Sequence, residues 1–187
     1  SMAIAGLSVV GREAYGVYPL RGKLLNVLDT ADSKIASNEE ITNIKKIMGL
    51  ETKKNYKDLK SLRYGKIMVM TDQDVDGSHI KGLLFNLFNT MWPSLIKIDG
   101  FMNSMLTPII KAKRKDVIYE FYNLIDFENW KKKFNVNKWN IKYYKGLGTS
   151  TEKEAKEYFK NIKNVEYIYD EDDEDWLGAE VGSNNTA

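Results

Sequence analysis

Apolar residues recur along the chain with two spacings, which predict a helix and a strand next to each other. Between Ser78 and Trp92 they follow the i, i+3, i+4, i+7 spacing of an amphipathic helix, which Pro93 ends. Residues 66–70 form a short apolar run after Gly65, and this run indicates a buried strand. A strand, an acidic loop and a helix in this order form half of a βαβ unit. The pattern therefore predicts an α/β fold with a parallel sheet.

Capping and turn residues divide the rest of the chain into further elements. The sequence Ser37-Asn-Glu-Glu40 has the form of a capping box, and it predicts a helix that Gly49 ends. The other predicted elements are strands at 103–111, 117–123 and 139–144, a helix at 126–134 capped by Asp126, a tight loop at 145–148 and a final helix capped by Thr151.

The composition is that of a globular protein, and its charge is distributed unevenly. No run of about 18 apolar residues occurs, which excludes a membrane-spanning helix, and the absence of cysteine suits an intracellular protein. Residues 165–187 contain eight acids and no lysine or arginine, so residues 1–164 have a net charge of +10. This favours a polyanion-binding body followed by a disordered acidic tail. A lysine-rich composition without functional meaning would explain the same charge equally well.

Three aspartates, Asp72, Asp74 and Asp76, follow the predicted strand at every second position. In extended backbone such residues point to one side, where three carboxylates repel one another unless a cation lies between them. A calcium EF-hand requires glutamate at the twelfth loop position, which is Leu83 here. Capping of the next helix would require only one of the acids. The pattern favours a Mg²⁺ site that uses carboxylates together with water and phosphate oxygens.

Segment 71–81, Thr-Asp-Gln-Asp-Val-Asp-Gly-Ser-His-Ile-Lys, resembles the DxDxD motif of the TOPRIM domain of type IIA DNA topoisomerases. Residues 18–26 and 142–150 resemble two further motifs of this family, in the same order and nearer to the eukaryotic enzymes than to bacterial gyrase. The resemblance covers most of the chain. It implies a Rossmann-like TOPRIM fold over residues 1–164, with a central parallel sheet flanked by helices.

The resemblance also implies functional roles for particular residues. It assigns Mg²⁺ binding to Asp72 and Asp74 with Asp76 close by, a catalytic position near the reacting phosphate to Lys145, and contacts with the DNA backbone to Arg21, Lys23 and Asn26. In the family a tyrosine on a different domain attacks the phosphate. Double-stranded DNA and the other domains of the same enzyme are therefore the expected partners.

The resemblance implies a homodimeric nuclear enzyme that uses ATP, bound elsewhere, to pass one duplex through a transient break in another. The family's remaining metal ligand is a glutamate in a Glu-Gly-Asp-Ser-Ala motif, and these 187 residues do not contain that motif. We therefore expect weak Mg²⁺ binding and no catalysis by this chain alone. One alternative is a DNA-binding module without a catalytic parent. Another is a primase or nuclease with a TOPRIM core, against which segments 18–26 and 142–150 argue.

Overall fold

The computed structural model describes residues 2–167, which contain both helices and strands. The helices are α1 (Met2–Val10), α2 (Asp32–Ser37), α3 (Glu39–Met48), α4 (Val75–Met91), α5 (Pro93–Ile96), α6 (Leu124–Lys133) and α7 (Glu152–Lys160). The strands are β1 (Ile67–Val69), β2 (Met102–Leu106), β3 (Ile110–Arg114), β4 (Val117–Phe121), β5 (Asn140–Tyr143) and β6 (Lys163–Glu166). Two short 3-10 helices lie at Val136–Lys138 and Leu147–Thr149.

These elements belong to two units with separate cores. Unit 1 comprises residues 2–16, 71–77 and 106–163, and unit 2 comprises residues 17–70, 78–105 and 164–167. The predicted boundary after residue 164 falls inside β6. Of the predicted acidic tail, residues 165–187, only residues 165–167 are described, and the rest lies outside the described residues. None of the helices within residues 2–167 is both long and apolar enough to cross a membrane.

Unit 2 is built on a three-stranded sheet in the order β1-β2-β6, and β1 runs parallel to β2 with Ile67 beside Met102. The predicted apolar stripe of α4 packs into the core of this unit. Leu87 and Phe88 are fully buried, and the Phe88 ring meets the Phe101 ring edge-on at 5.7 Å. Burying such a side chain contributes about 1.5–3 kcal/mol. Strand, helix and parallel strand occur here in the order that the sequence pattern predicts.

The starts of α3 and α6 differ from the prediction. Helix α3 is capped by Asn38, whose side chain accepts a hydrogen bond from the Ile41 N–H, whereas Ser37 ends α2. The predicted capping box at Ser37 is therefore wrong, although Gly49 ends the helix in the left-handed region as expected, with φ 72°. Helix α6 begins at Leu124 because the cap is Asn123 and not Asp126.

Unit 1 contains an antiparallel sheet in the order β4-β3-β5 and a helix pair, α1 and α7. The predicted single strand at 103–111 is wrong, because β2 and β3 belong to different sheets and Pro108 lies between them. Helix α7 begins at the predicted cap, Thr151, which forms a complete capping box with Glu154. A Cβ atom on Gly6 of α1 would lie 2.2 Å from the Phe159 ring of α7, so this contact requires glycine.

Candidate metal centre

Asp72 and Asp74 lie in the loop that joins β1 to α4, Asp76 lies in the first turn of α4, and all three are exposed. The Gly77 N–H donates a hydrogen bond of 2.7 Å to Asp74 Oδ1, so the Asp74 side chain satisfies a backbone group in the first turn of α4. Asp76 lies in the same turn, where the positive end of the helix favours a carboxylate. Helix α4 consequently begins at Val75 and not at the predicted Ser78.

Gly77 allows this loop to fold tightly against the start of its own helix. A Cβ atom at this position would lie 1.9 Å from the Asp72 carbonyl oxygen and 3.1 Å from Thr71 Oγ1. The nearest obstacle is backbone and cannot rotate away. A residue larger than glycine would therefore displace the backbone of Asp72.

A second loop of unit 1, residues 145–148, reaches the Asp72 carboxylate. The Leu147 N–H donates a hydrogen bond of 2.6 Å to Asp72 Oδ1. A Cβ atom on Gly146 would lie 2.9 Å from the carboxyl carbon and both carboxyl oxygens of Asp72. Lys145 is exposed and directly precedes these two residues. The structure thus brings together Asp72 and the predicted tight loop, which are far apart in the sequence.

These contacts determine how well the acids fit a metal ion. Among residues 2–167 no group of three His, Cys, Asp or Glu side chains converges on one point as a metal site formed by protein ligands alone would require. Mg²⁺, however, usually keeps several waters and binds through one or two carboxylates together with phosphate oxygens. The exposed carboxylates of Asp72, Asp74 and Asp76 fit that manner of binding. Their role as ligands stays a prediction.

The predicted DNA contacts, Arg21, Lys23 and Asn26, lie in unit 2. Tyr18 donates a hydrogen bond to one Glu40 carboxylate oxygen, and the Arg21 N–H donates one of 3.4 Å to the other oxygen. The hydrogen bond to Glu40, and then burial, raises the pKa of Tyr18 above its usual value. Glu40 therefore attaches the beginning of this segment to α3.

The remainder of segment 18–26 has exposed polar side chains, and its backbone conformation is fixed at two points. Arg21 and Lys23 are exposed, and Gly22 between them has φ 83°, a conformation that favours glycine. Asn26 Oδ1 accepts a hydrogen bond of 3.1 Å from the Leu28 N–H and closes a local turn. The two cations lie between an anchored beginning and an ordered turn, which suits contact with an extended anion.

Sequence reasoning missed two participants in the acidic site, the Leu147 amide and the glycine next to it. A backbone amide has no sequence signature. The two glycines of segment 145–148 were the only available signal that another part of the chain approaches this backbone closely. Their partner, Asp72, becomes visible only in the folded chain.

Comparison with known families gives two adjoining matches. The chain matches the Toprim domain family over residues 1–102 and the C-terminal associated domain of TOPRIM over residues 105–180. Together the two matches span nearly the whole chain.

Among curated proteins, the chain is 53% identical to DNA topoisomerase 2 of Plasmodium falciparum over 89% of its own length. It is 54% identical to DNA topoisomerase 2-beta of Homo sapiens over 90% of its length. The chain spans only 12% and 11%, respectively, of the length of these relatives.

A solved structure is similar as well, the Plasmodium falciparum topoisomerase II DNA-binding, cleavage and re-ligation domain. The TM-score is 0.86 at 50% identity, and the match covers 89% of this chain and 23% of that one. This similarity confirms the predicted α/β fold class.

Proposed function

Because this chain belongs to the Toprim domain family and forms the Toprim region of a type II DNA topoisomerase, we propose that it binds Mg²⁺ and the DNA backbone during DNA cleavage and rejoining. The observation that supports this most directly is the hydrogen bond from the Leu147 N–H to Asp72 Oδ1. It joins two of the motifs, 71–81 and 142–150, at one carboxylate.

In this proposal Asp72 and Asp74 hold the metal ion and Asp76 adds negative charge beside it. When bound, Mg²⁺ would supply electrostatic stabilisation of charge that develops on phosphate oxygens. The chain's own contribution is to orient the carboxylates. Asp74 is held by the Gly77 N–H and Asp72 by the Leu147 N–H, so each acid has one oxygen fixed by a backbone amide.

The cations of the chain have two roles in this proposal. Arg21 and Lys23, with Asn26, bind phosphate and sugar groups and so position the duplex without reading its sequence. Lys145 lies near the reacting phosphate, because Leu147, two residues later, donates a hydrogen bond to the metal-binding Asp72.

The activity of a complete enzyme is part of the same proposal. The complete enzyme would be a homodimer in the nucleus. It would make a transient double-strand break in DNA and use ATP to pass a second duplex through the break. The chain spans 11–12% of the curated relatives cited above, so we assign ATP binding and the attacking tyrosine to other domains. The 187-residue chain by itself should not relax supercoiled plasmid, and measurable relaxation would contradict this assignment.

Metal binding is tested by titrating the chain with MgCl₂ and following backbone amides by NMR. We expect millimolar binding with shifts centred on segment 71–77 and the Leu147 amide, and Asp72→Asn should weaken binding at least about tenfold by removing a charged ligand. Asp116→Asn is the matched control, because it removes another exposed carboxylate, from the turn between β3 and β4. Equal effects of the two substitutions would mean that general charge, not a site, attracts the ion.

DNA contact is tested by measuring the affinity for a short duplex at several salt concentrations. Lys23→Gln should reduce the slope of log K against log salt by about 0.9, the value for one phosphate contact. Lys132→Gln, an exposed lysine of α6, is the control and should leave the slope unchanged. If both variants reduce the slope equally, DNA is bound by the overall positive charge of the chain and not specifically by segment 18–26.

A further inference from the structure

The Glu154 carboxylate, at the start of α7, binds groups from both ends of the loop that reaches Asp72. Before the loop, the Tyr144 hydroxyl donates a hydrogen bond to Oε2, and Lys142 Nζ lies 3.2 Å from Oε1. After the loop, the N–H and the hydroxyl of Thr151 each donate to Oε1 at 3.2 Å. Lys111 of β3 adds an ion pair of 2.8 Å with Oε2. One carboxylate therefore closes the loop 145–150 at its base.

The ion pair of Glu154 and Lys111 in this cluster is largely shielded from water. The side chains of Glu154 and Lys111 are only 18% and 15% exposed. Burial is the largest single influence, and alone it would raise the pKa of Glu154 and lower that of Lys111. The hydrogen bonds to each group together outweigh burial, so the pKa of Glu154 is lowered and that of Lys111 is raised. Burial and the hydrogen bond to Glu154 raise the pKa of Tyr144. Glu154 is thus a charged, multiply bonded anchor, and its removal would leave Lys111 without its nearest counter-charge.

The closed loop meets the acidic site through its first half. The Leu147 N–H holds Asp72 Oδ1, and Gly146 lies against the same carboxylate. If the base of the loop opens, the Leu147 N–H loses its fixed distance from Asp72. Glu154 therefore acts on the acid through the loop.

We propose that Glu154 is a positioning residue for the Asp72 carboxylate: it clamps the base of loop 145–150, and the clamped loop holds the acid in the orientation that receives Mg²⁺. The statement about Mg²⁺ rests on the proposed function. The mechanical statement, that Glu154 fixes the Leu147–Asp72 hydrogen bond, does not depend on the metal.

The test compares Glu154→Gln with Glu152→Gln, in the 187-residue chain. Glu152 lies on the same helix, forms an exposed ion pair of 2.7 Å with Lys156 and provides the same charge change two residues away. Without metal, Glu154→Gln should increase hydrogen exchange of the Leu147 amide about five- to tenfold, the equivalent of about one hydrogen bond. With MgCl₂ it should weaken binding by a similar factor. The control should change neither quantity.

A double-mutant cycle separates positioning from general stability. If Glu154 acts through Asp72, Glu154→Gln should not weaken Mg²⁺ binding further in a chain that already has Asp72→Asn. One result would overturn the inference. If Glu154→Gln lowers the thermal midpoint but leaves both the hydrogen exchange of the Leu147 amide and the Mg²⁺ affinity unchanged, Glu154 has only a structural role.

Two further measurements decide the inference if Glu154→Gln does not fold or if the chain binds no Mg²⁺. If Glu154→Gln does not fold, Tyr144→Phe removes one hydrogen bond from the same carboxylate and should increase Leu147 exchange in the same direction; no increase would overturn the inference. If the unaltered chain binds no Mg²⁺, the proposed function fails, whereas the Leu147 exchange measurement still decides whether Glu154 holds the loop.

Discussion

Gly146→Ala should test the acidic site with a single methyl group. The backbone of Gly146 has φ −178°, which any residue adopts, so the substitution introduces no backbone strain. The new Cβ would lie 2.9 Å from the carboxyl atoms of Asp72, closer than side-chain carbons normally approach. The carboxylate must therefore move, and it can do so only by lengthening or breaking its hydrogen bond from the Leu147 N–H.

The magnitude of this effect follows from two opposing contributions. A hydrogen bond to a charged group contributes about 1.5–3 kcal/mol, and the lower value applies to Asp72 because it is exposed. Replacing glycine by alanine in a compatible conformation contributes about 0.4–1 kcal/mol in the opposite direction, by restricting the unfolded chain. Gly146→Ala should therefore lower the free energy of unfolding by about 1 kcal/mol.

Gly148→Ala, two residues later in the same loop, is the matched control. A Cβ atom at Gly148 would have no neighbour within 4 Å, so this variant should be unchanged or more stable by up to about 1 kcal/mol. Urea denaturation measures both free energies, and NMR titration measures Mg²⁺ affinity, which only Gly146→Ala should weaken. Equal stability of the two variants, with the Leu147 amide still protected from exchange, would refute this account of the loop.

Three further predictions, which use four substitutions, test separate parts of the structure by urea denaturation. Gly77→Ala should lower the free energy of unfolding by about 3 kcal/mol, because the added methyl meets the Asp72 backbone. As the pH falls below 4.5, the unfolded chain binds a proton before Glu154 in the folded chain does, so stability should decrease, and Glu154→Gln should flatten this dependence. Asn38→Ala should cost about 1 kcal/mol as the loss of a helix cap, whereas Ser37→Ala should cost less than about 0.5 kcal/mol; the reverse order would contradict the assigned cap.

Local periodicity predicted those elements whose signal lies within a few residues. The apolar stripe after Ser78 corresponds to the buried face of α4, and the short run before Thr71 corresponds to β1. The start of α4 was missed because Asp76 and Gly77 have the composition of a loop. The side chain of Asp74 nevertheless satisfies the Gly77 N–H, and this contact extends the helix by three residues.

The candidate site was predictable in its chemistry but not in its contacts. The alternation of Asp72, Asp74 and Asp76 indicated hard oxygen ligands, and the resemblance added Lys145. The approach of Leu147 to Asp72 spans 75 positions of the chain and depends on tertiary packing. The capping box at Glu154 was visible, whereas its ion pair with Lys111 on a distant strand was not.

The cap of α4 has a consequence for the choice between cations of different size. Because Asp74 Oδ1 already accepts the Gly77 N–H, this carboxylate is best placed to offer a cation its other oxygen alone. Large cations such as Ca²⁺ often take both oxygens of a carboxylate, whereas Mg²⁺ is octahedral and accepts single oxygens and water. In the proposed metal site, the hydrogen bond that begins the helix would therefore favour Mg²⁺ over Ca²⁺, because it discourages the two-oxygen contact that the larger ion often makes.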